Sequence, residues 1–317
     1  MFGVSRITQP MKRGIYMEKA LFIVNPSSGG KEALKVSKSL KTSLEDKGIR
    51  VQFYETTGED DFRKLTREAI QNEIYKVFIF GGDGTISEYV REIANLERRP
   101  KIILVPLGTT NNLARALGTE INIPEFISKI LSEQFIEKKI DVGQINDDYF
   151  ISTLSAGQIP EVAWKTSDEL KEEIGPLAYI IEGITALSDQ NTFDLSLDTE
   201  SESIFLKDLT LLVVGLSNSV FGIPVFFDQA TVDDGRFHLY TLKDSDFLKA
   251  STSLASDVFS KSNQVNDLSF STSFKQAEIA SSKNMNLVID GEKGPAFPIK
   301  LKNLEKHLTF LVPENTK

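Results

Sequence analysis

Short apolar runs alternate with longer amphipathic stretches through the first part of this chain. Residues 20–24, 51–54, 76–80 and 102–105 are β-branched and aromatic runs of strand length, as expected for strands buried on both faces. Between them apolar positions recur at helical spacing. Ala33, Val36, Leu40 and Leu44 form one inner face that Gly48 terminates; Phe62, Leu65, Ala69 and Ile70 form the next. Ile86, Tyr89, Val90 and Ile93 mark a third helix over residues 85–96, which Thr85-Ile-Ser-Glu88 is expected to open as a capping box. A short helix is expected after residues 106–115. Four such alternations with short connections predict an α/β domain, a Rossmann-like parallel sheet covered by helices on both faces. Ligands bind such sheets beyond the carboxyl ends of the strands. The polar and glycine-rich loops at 25–30, 55–58, 81–84 and 106–112 all fall at that edge.

The pattern changes after about residue 138. Residues 140–145 and 149–155 flank Asn146-Asp-Asp148 and read as a hairpin. Helices are expected over 167–188, interrupted at Gly175-Pro176, and near 246–260. Otherwise short strands dominate, and the alternation in Phe193-Asp-Leu-Ser-Leu197 marks a sheet with one wet face. The expectation is a mainly antiparallel β-sandwich domain over 139–304, following a nucleotide-binding domain over 17–138. Residues 305–317 are a closing segment expected to return to the first domain. Residues 1–16 show neither an element nor the apolar core of a signal peptide, and Met17 is the expected natural start.

At 317 residues the chain has ample length for two cores. It contains no cysteine, which excludes disulfides and thiolate chemistry and fits a cytoplasmic setting. His238 and His307 are far apart, against a histidine metal cluster or a Ser-His relay. A net charge of −9 argues against nucleic acid as a partner and offers no attraction to an anionic bilayer.

Among the loops, Gly81-Gly-Asp-Gly84 joins a strand end to a helix start, where free N–H groups and the helix dipole favour a phosphate. Asp83 is the group in that turn able to reach a cation or a hydroxyl proton. Asn25-Pro-Ser-Ser-Gly-Gly30 sits in the same position after the first strand, with neither P-loop nor dinucleotide spacing. Thr56 and Thr57 lie at the second strand end, and Gly108-Thr-Thr-Asn-Asn112 at the fourth. Val288-Ile-Asp-Gly-Glu292 places two carboxylates in a late turn. Each loop alone is also an ordinary turn or cap.

Together they resemble the soluble bacterial diacylglycerol kinases, and more broadly the lipid kinases that include sphingosine and ceramide kinases. The resemblance spans nearly all of residues 20–313. It rests on Asn25-Pro-Ser-Ser-Gly29, Gly81-Gly-Asp-Gly-Thr85, Pro106-Leu-Gly-Thr109, Asp141-Val-Gly143, Gly175-Pro-Leu-Ala-Tyr179, Val232-Asp-Asp-Gly235 and Asp290-Gly-Glu292. The second of these is shared with NAD kinases, whose first domain has the same expected fold; the last points to the lipid branch. The resemblance implies ATP across the strand-end edge, against Asn25, Pro26, Ser27, Ser28, Gly29, Thr56, Gly82, Asp83, Gly84, Thr85, Glu88 and Thr109. It implies Asp83 beside the Mg2+–ATP phosphates, Glu292 as proton acceptor and Asp290 beside it. A second, structural Mg2+ is implied at Thr231, Asp234 and Arg236, through the Asp234 carboxylate and two backbone oxygens. Arg115 and Lys171 match basic positions of the family.

Ser87 stands where the family usually has Asn, Asn112 where it commonly has Asp, and Asp228 where Pro is usual. The implied activity is phosphorylation of a lipid hydroxyl, foremost that of diacylglycerol, at the inner face of a bacterial membrane with peripheral contact. A homodimer is left open. The rival readings are a kinase for another hydroxylated lipid or alcohol, and a nucleotide-binding regulatory protein with weakened catalysis.

Overall fold

The structure is a computed structural model that describes residues 19–58, 60–119, 122–157, 192–220, 226–227, 229–243 and 269–314. The expected helices over 167–188 and 246–260, together with Lys171, Phe221 and Asp228, lie outside the described residues.

The first half alternates as its apolar pattern dictates. β1 (Lys19–Val24), α1 (Glu32–Glu45), β2 (Arg50–Glu55), α2 (Phe62–Gln71), β3 (Lys76–Gly81), α3 (Asp83–Ile93) and β4 (Lys101–Pro106) follow in order, then two helices, α4 (Asn112–Leu117) and α5 (Ile123–Leu131). The strands pair in parallel in the order β2-β1-β3-β4. Successive residues of β1 and β3 point to opposite faces, so each strand feeds two cores. Phe22, Phe78 and Phe80 pack with Val36, Leu40, Leu44, Phe126 and Ile130 of α1 and α5. Leu21, Ile23, Val77 and Ile79 pack with Phe62, Leu65, Ile86, Tyr89 and Ile93 of α2 and α3. At about 1.5–3 kcal/mol per fully buried large apolar side chain, these two layers are the main stabilising term of this half.

The second half is antiparallel and β-rich. It comprises β5 (Phe135–Ile145), β6 (Asp148–Phe150), β7 (Thr153–Gly157), β8 (Phe193–Thr199), β9 (Ser203–Gly215), β10 (Phe237–Lys243), β11 (Ser269–Phe274), β12 (Gln276–Ser281), β13 (Asn286–Ile289), β14 (Glu292–Ala296) and β15 (Ile299–Pro313). Their inward residues, among them Phe150, Phe193, Leu212, Phe237 and Ile289, form a third core. β15 connects the halves. Near its start it pairs antiparallel with β12; near its end Phe310 lies beside Ile102 of β4 in parallel; β5 runs antiparallel along its length. The described strands therefore form one continuous hydrogen-bonded sheet.

Three elements differ from the apolar pattern. α3 starts at Asp83, not Thr85: its N-cap is Gly82, no side chain caps it, and Thr85 lies buried inside the first turn. α5 is a helix for which the apolar pattern gave no expectation, capped by the Asn122 side chain on the Glu125 N–H and with Pro124 in its first turn. The single strand expected over 149–155 is broken into β6 and β7, because the intervening N–H groups turn to Asp290 instead of a neighbouring strand.

β15 kinks between Leu304 and Leu308, with Lys306 at φ +50°. The buried Asp141 carboxylate holds that kink by accepting the Lys306 N–H at 2.8 Å and the Gly235 N–H at 2.6 Å. Asp141→Ala leaves both donors without this acceptor. It is expected to lower unfolding free energy by about 1–3 kcal/mol, read as a lower urea midpoint at unchanged slope.

Candidate active site

Two strand-end loops of the first half meet backbone to backbone. A Cβ added to Gly108 would lie 2.5 Å from the Gly82 Cα, and one added to Gly81 would lie 2.6 Å from Thr85 Oγ1. Glycine at these positions is thus required by close approach. The Leu107 N–H donates to the Gly81 carbonyl at 3.0 Å. Asn111, in the left-handed region at φ +49°, closes the second loop: its Oδ1 accepts from the Gly108 N–H and its Nδ2 donates to the Gly108 carbonyl.

Asp83, the first residue of α3, spans this contact. Its carboxylate accepts the N–H groups of Asn112 at 3.0 Å and Leu113 at 3.3 Å, at the start of α4. Burial pushes its pKa up, opposed by those N–H donors and by the charge of Arg115. Asn25 ties in the first loop. Its N–H donates to the Phe80 carbonyl, its Nδ2 donates to Thr85 Oγ1 at 3.1 Å, and its Oδ1 accepts from the Ser27 N–H and hydroxyl. Pro26, Ser27, Ser28 and Gly29 follow at the same edge, entering a 3-10 turn over Ser28–Lys31, with the Gly29 backbone against Leu107. Thr56 is held by its N–H donating to the Val24 carbonyl. Gly84 and Thr109 are exposed on α3 and on the fourth loop. Eleven of the twelve residues expected to contact a nucleotide therefore lie in the loops or the first helical turn at one edge of the sheet, and Glu88 follows one turn further along α3.

The late Asp-Gly-Glu turn packs on the same helix. Ser87 Oγ donates to Asp290 Oδ2 at 2.7 Å. Asp290 also accepts the N–H groups of Ile151, Ser152 and Thr153, each at 2.9 Å. One turn further along α3, Arg91 Nη1 donates to Glu292 Oε2 at 2.8 Å, and its Nε lies 3.6 Å from Asp148 Oδ2. Positions 83, 87 and 91 form one i, i+4, i+8 ridge, so a single row of α3 touches α4, Asp290 and Glu292 in turn. Glu88, beside that ridge and partly buried, has its pKa pushed up by burial and then by the negative charges of Asp60 and Glu292. Residues 81–88 and 290–292, some two hundred positions apart in the chain, are thus brought together along one helix.

The two late carboxylates are not equivalent. Asp290 is enclosed by four donors; burial pushes its pKa up while those donors pull it back. A carboxylate so engaged ties the turn to α3 and to the 151–153 backbone. The Glu292 side chain is 52% exposed. Of the two, Asp290 is the one held by the surrounding donors, and Glu292 the one open to solvent. Arg91 was not singled out in the sequence; its i+8 spacing from Asp83 is the one signal that could have found it. Ser219, buried and donating to Asn112 Oδ1 at 3.3 Å, had no sequence signal at all.

The turn containing Thr231, Asp234 and Arg236 is a separate construction. Asp234 Oδ2 accepts from the Thr231 N–H and from His238 Nε2 at 2.8 Å, and Oδ1 accepts from the Arg236 N–H. Burial raises the Asp234 pKa, but His238 and the two N–H donors more than offset it, leaving the carboxyl below its usual range. Among the described residues no cluster of three or more His, Asp or Glu side chains is placed to hold a metal. A cation at either place would take one carboxylate from the chain, Asp83 or Asp234, with other oxygens completing its shell. That fits Mg2+, which binds through one or two carboxylates plus phosphates and waters.

Comparison with known proteins identifies the family. The sequence model of the diacylglycerol kinase catalytic domain matches residues 19–145. A diacylglycerol kinase of Bacillus subtilis is 30% identical over 305 residues, covering 94% of this chain and 97% of that protein. One of Staphylococcus carnosus is 29% identical over 311 residues, covering 95% and 97%. A crystal structure of a putative diacylglycerol kinase from Bacillus anthracis superposes with a TM-score of 0.78 at 26% identity, covering 94% and 97%. The chain belongs to the diacylglycerol kinase family, enzymes that phosphorylate a lipid alcohol.

Gly108→Ala pushes a methyl into the Gly82 backbone and the Asn111 amide, neither of which is a flexible chain end. The expected outcome is a loss of about 1–3 kcal/mol in stability, with nucleotide affinity reduced more than fivefold by calorimetry at a temperature where the variant is folded.

Proposed function

We propose that this enzyme transfers the γ-phosphoryl group of ATP to the free hydroxyl of diacylglycerol, giving phosphatidic acid. The reading is carried by the α3 ridge, which relates the phosphate-binding edge at Asp83 to the exposed carboxylate at Glu292 through two direct side-chain contacts.

In this reading the loops at Asn25–Gly29, Gly82–Thr85 and Thr109, with Thr56 and Glu88, cradle the nucleotide. Their backbone N–H groups at the start of α3 face its phosphates. Asp83 is oriented for this by the N–H groups of α4. Mg2+ at Asp83 supplies neutralisation of phosphate charge when bound. Glu292 accepts the proton of the attacking hydroxyl, a role that needs an ionised carboxylate within hydrogen-bond reach. Asp290 holds the turn that carries Glu292. In this reading the acceptor resides in a bilayer and the enzyme meets it by peripheral contact at the inner membrane face; no described helix is long and apolar enough to cross a membrane.

Labelled ATP with the purified protein and mixed micelles of diacylglycerol, ceramide, sphingosine or monoacylglycerol tests this. Label on diacylglycerol with Mg2+, absent with EDTA, is expected. Label only on another acceptor overturns the substrate, and nucleotide binding with no transfer supports a regulatory protein, a reading that the neutral Asn112 favours. Glu292→Gln is expected to cut kcat by roughly 10²-fold or more with ATP affinity retained.

The Thr231–Arg236 turn is proposed to hold the second, structural Mg2+ through the Asp234 carboxylate and the backbone oxygens of Thr231 and Arg236. Millimolar Mg2+ without nucleotide should then raise the melting temperature of the native protein and of Asp83→Asn, but not that of Asp234→Asn. An equal rise in Asp234→Asn removes the turn from metal binding.

A further inference from the structure

Arg91 is the one member of the α3 ridge to which the phosphotransfer reading gives no task. Its side chain is 25% exposed and stands between two carboxylates of the second half, Glu292 at the start of β14 and Asp148 in the β5–β6 hairpin. Its Nε is buried without a hydrogen bond, so the head is engaged through Nη1 on Glu292 and through charge on Asp148. Burial weakens its charged form, while Glu292, Asp148 and Asp290 restore it and hold its pKa above the usual arginine range.

A surface ion pair is ordinarily worth little, because two long side chains lose freedom to form it. Here the helix presents Arg91 from a fixed position. α3 begins at the phosphate-binding loop, Ser87 pins it to Asp290, and Asp290 is locked to three N–H groups of the second half. Much of the ordering cost is thereby met by the fold itself. What remains variable is the rotamer of Glu292, whose side chain is half exposed and would otherwise sample several wells in water.

We propose that Arg91 is the positioning residue for Glu292: it fixes the carboxylate of the proton acceptor to the same helix that orients the phosphates, so that donor and acceptor sites keep one register. This rests on the reading of Glu292 as the base. Arg91 itself touches neither nucleotide nor lipid and acts through the carboxylate it holds. A guanidinium is suited to this, since it is permanently charged and directional, whereas lysine supplies charge without a fixed fork.

The test is a double-mutant cycle in the lipid kinase assay, with Arg91→Gln, Glu292→Gln and the pair. Arg91→Gln is expected to lower kcat about 10- to 100-fold, the scale of a misplaced catalytic group, with the KM for ATP within about twofold. On the Glu292→Gln background the same change is expected to cost nothing further, because the group it positions is already disabled. Arg91→Lys should recover part of the lost kcat. An equal fold-loss in both backgrounds shows a general structural role and overturns the proposal, as does an unchanged kcat in Arg91→Gln. Should Arg91→Gln not fold, Arg91→Lys alone decides through the same cycle: a kcat loss smaller than tenfold that vanishes beside Glu292→Gln supports the proposal, and one that persists overturns it. If Glu292→Gln itself leaves kcat unchanged, the base assignment has failed instead, and the two failures are told apart by that single variant.

Discussion

The carboxylate of Asp290 is the constraint on which the arrangement of this enzyme depends. Three consecutive backbone N–H groups and one hydroxyl converge on its two oxygens. An ionised carboxylate offers acceptors only, so four donors match its capacity without a conflicting proton. Removing it would orphan three main-chain donors at once, which is why the strand over 149–155 gives up its regular pairing there. The residue sits at φ +49° with Gly291 after it at +91°, a reversal that turns the next side chain, Glu292, back toward α3. One side chain thus breaks a strand, shapes a turn and docks the second half on the helix of the first.

That docking has a covalent counterpart in β15. The strand begins beside β12 in the antiparallel half and ends beside β4 in the parallel half, so the sheet never stops at the boundary. Two domains joined by one flexible crossing would swing freely; here β5 and β15 run together across the junction, and Asp141 holds the kink that lets one strand serve both curvatures. The sheet is therefore hydrogen-bonded without a break between the half that carries Asp83 and the half that carries Glu292.

Much of this was legible in the residues. The four parallel strands, their order of alternation and the polar edge follow from apolar runs and glycine-rich loops, because strands buried on both faces leave no other pattern. Where the sequence misled, a tertiary partner outbid a local one. Thr85-Ile-Ser-Glu88 has the form of a capping box, yet the helix starts two residues earlier because Thr85 Oγ1 is engaged by Asn25 and Asp83 serves the start of α4. The hairpin over 140–155 reads as two strands, but its second arm answers to a carboxylate 139 residues further on. Arg91 reads as one solvated charge on a helix, since nothing local announces Glu292. Contacts of this separation are invisible to periodicity, which senses only neighbours within a few turns.

Two departures from the family pattern are better understood with these contacts in view. Ser87 replaces an amide with a hydroxyl, and the contact required of the position is one donor toward Asp290, which the hydroxyl supplies at 2.7 Å. The substitution changes reach without changing chemistry. Asn112 is a different case. Its contact with Asp83 runs through the backbone N–H, which any residue provides, so the anchoring of Asp83 survives. Its side chain meets Ser219, a buried hydroxyl of the second half, and what is lost is one negative charge close to Asp83. A second carboxylate there would repel Asp83 and raise the demand for a cation between them; a neutral amide removes that repulsion and joins the two halves by a hydrogen bond instead. The two halves of this enzyme are thus joined here by uncharged groups, a hydroxyl donor at Ser87 and an amide acceptor at Asn112.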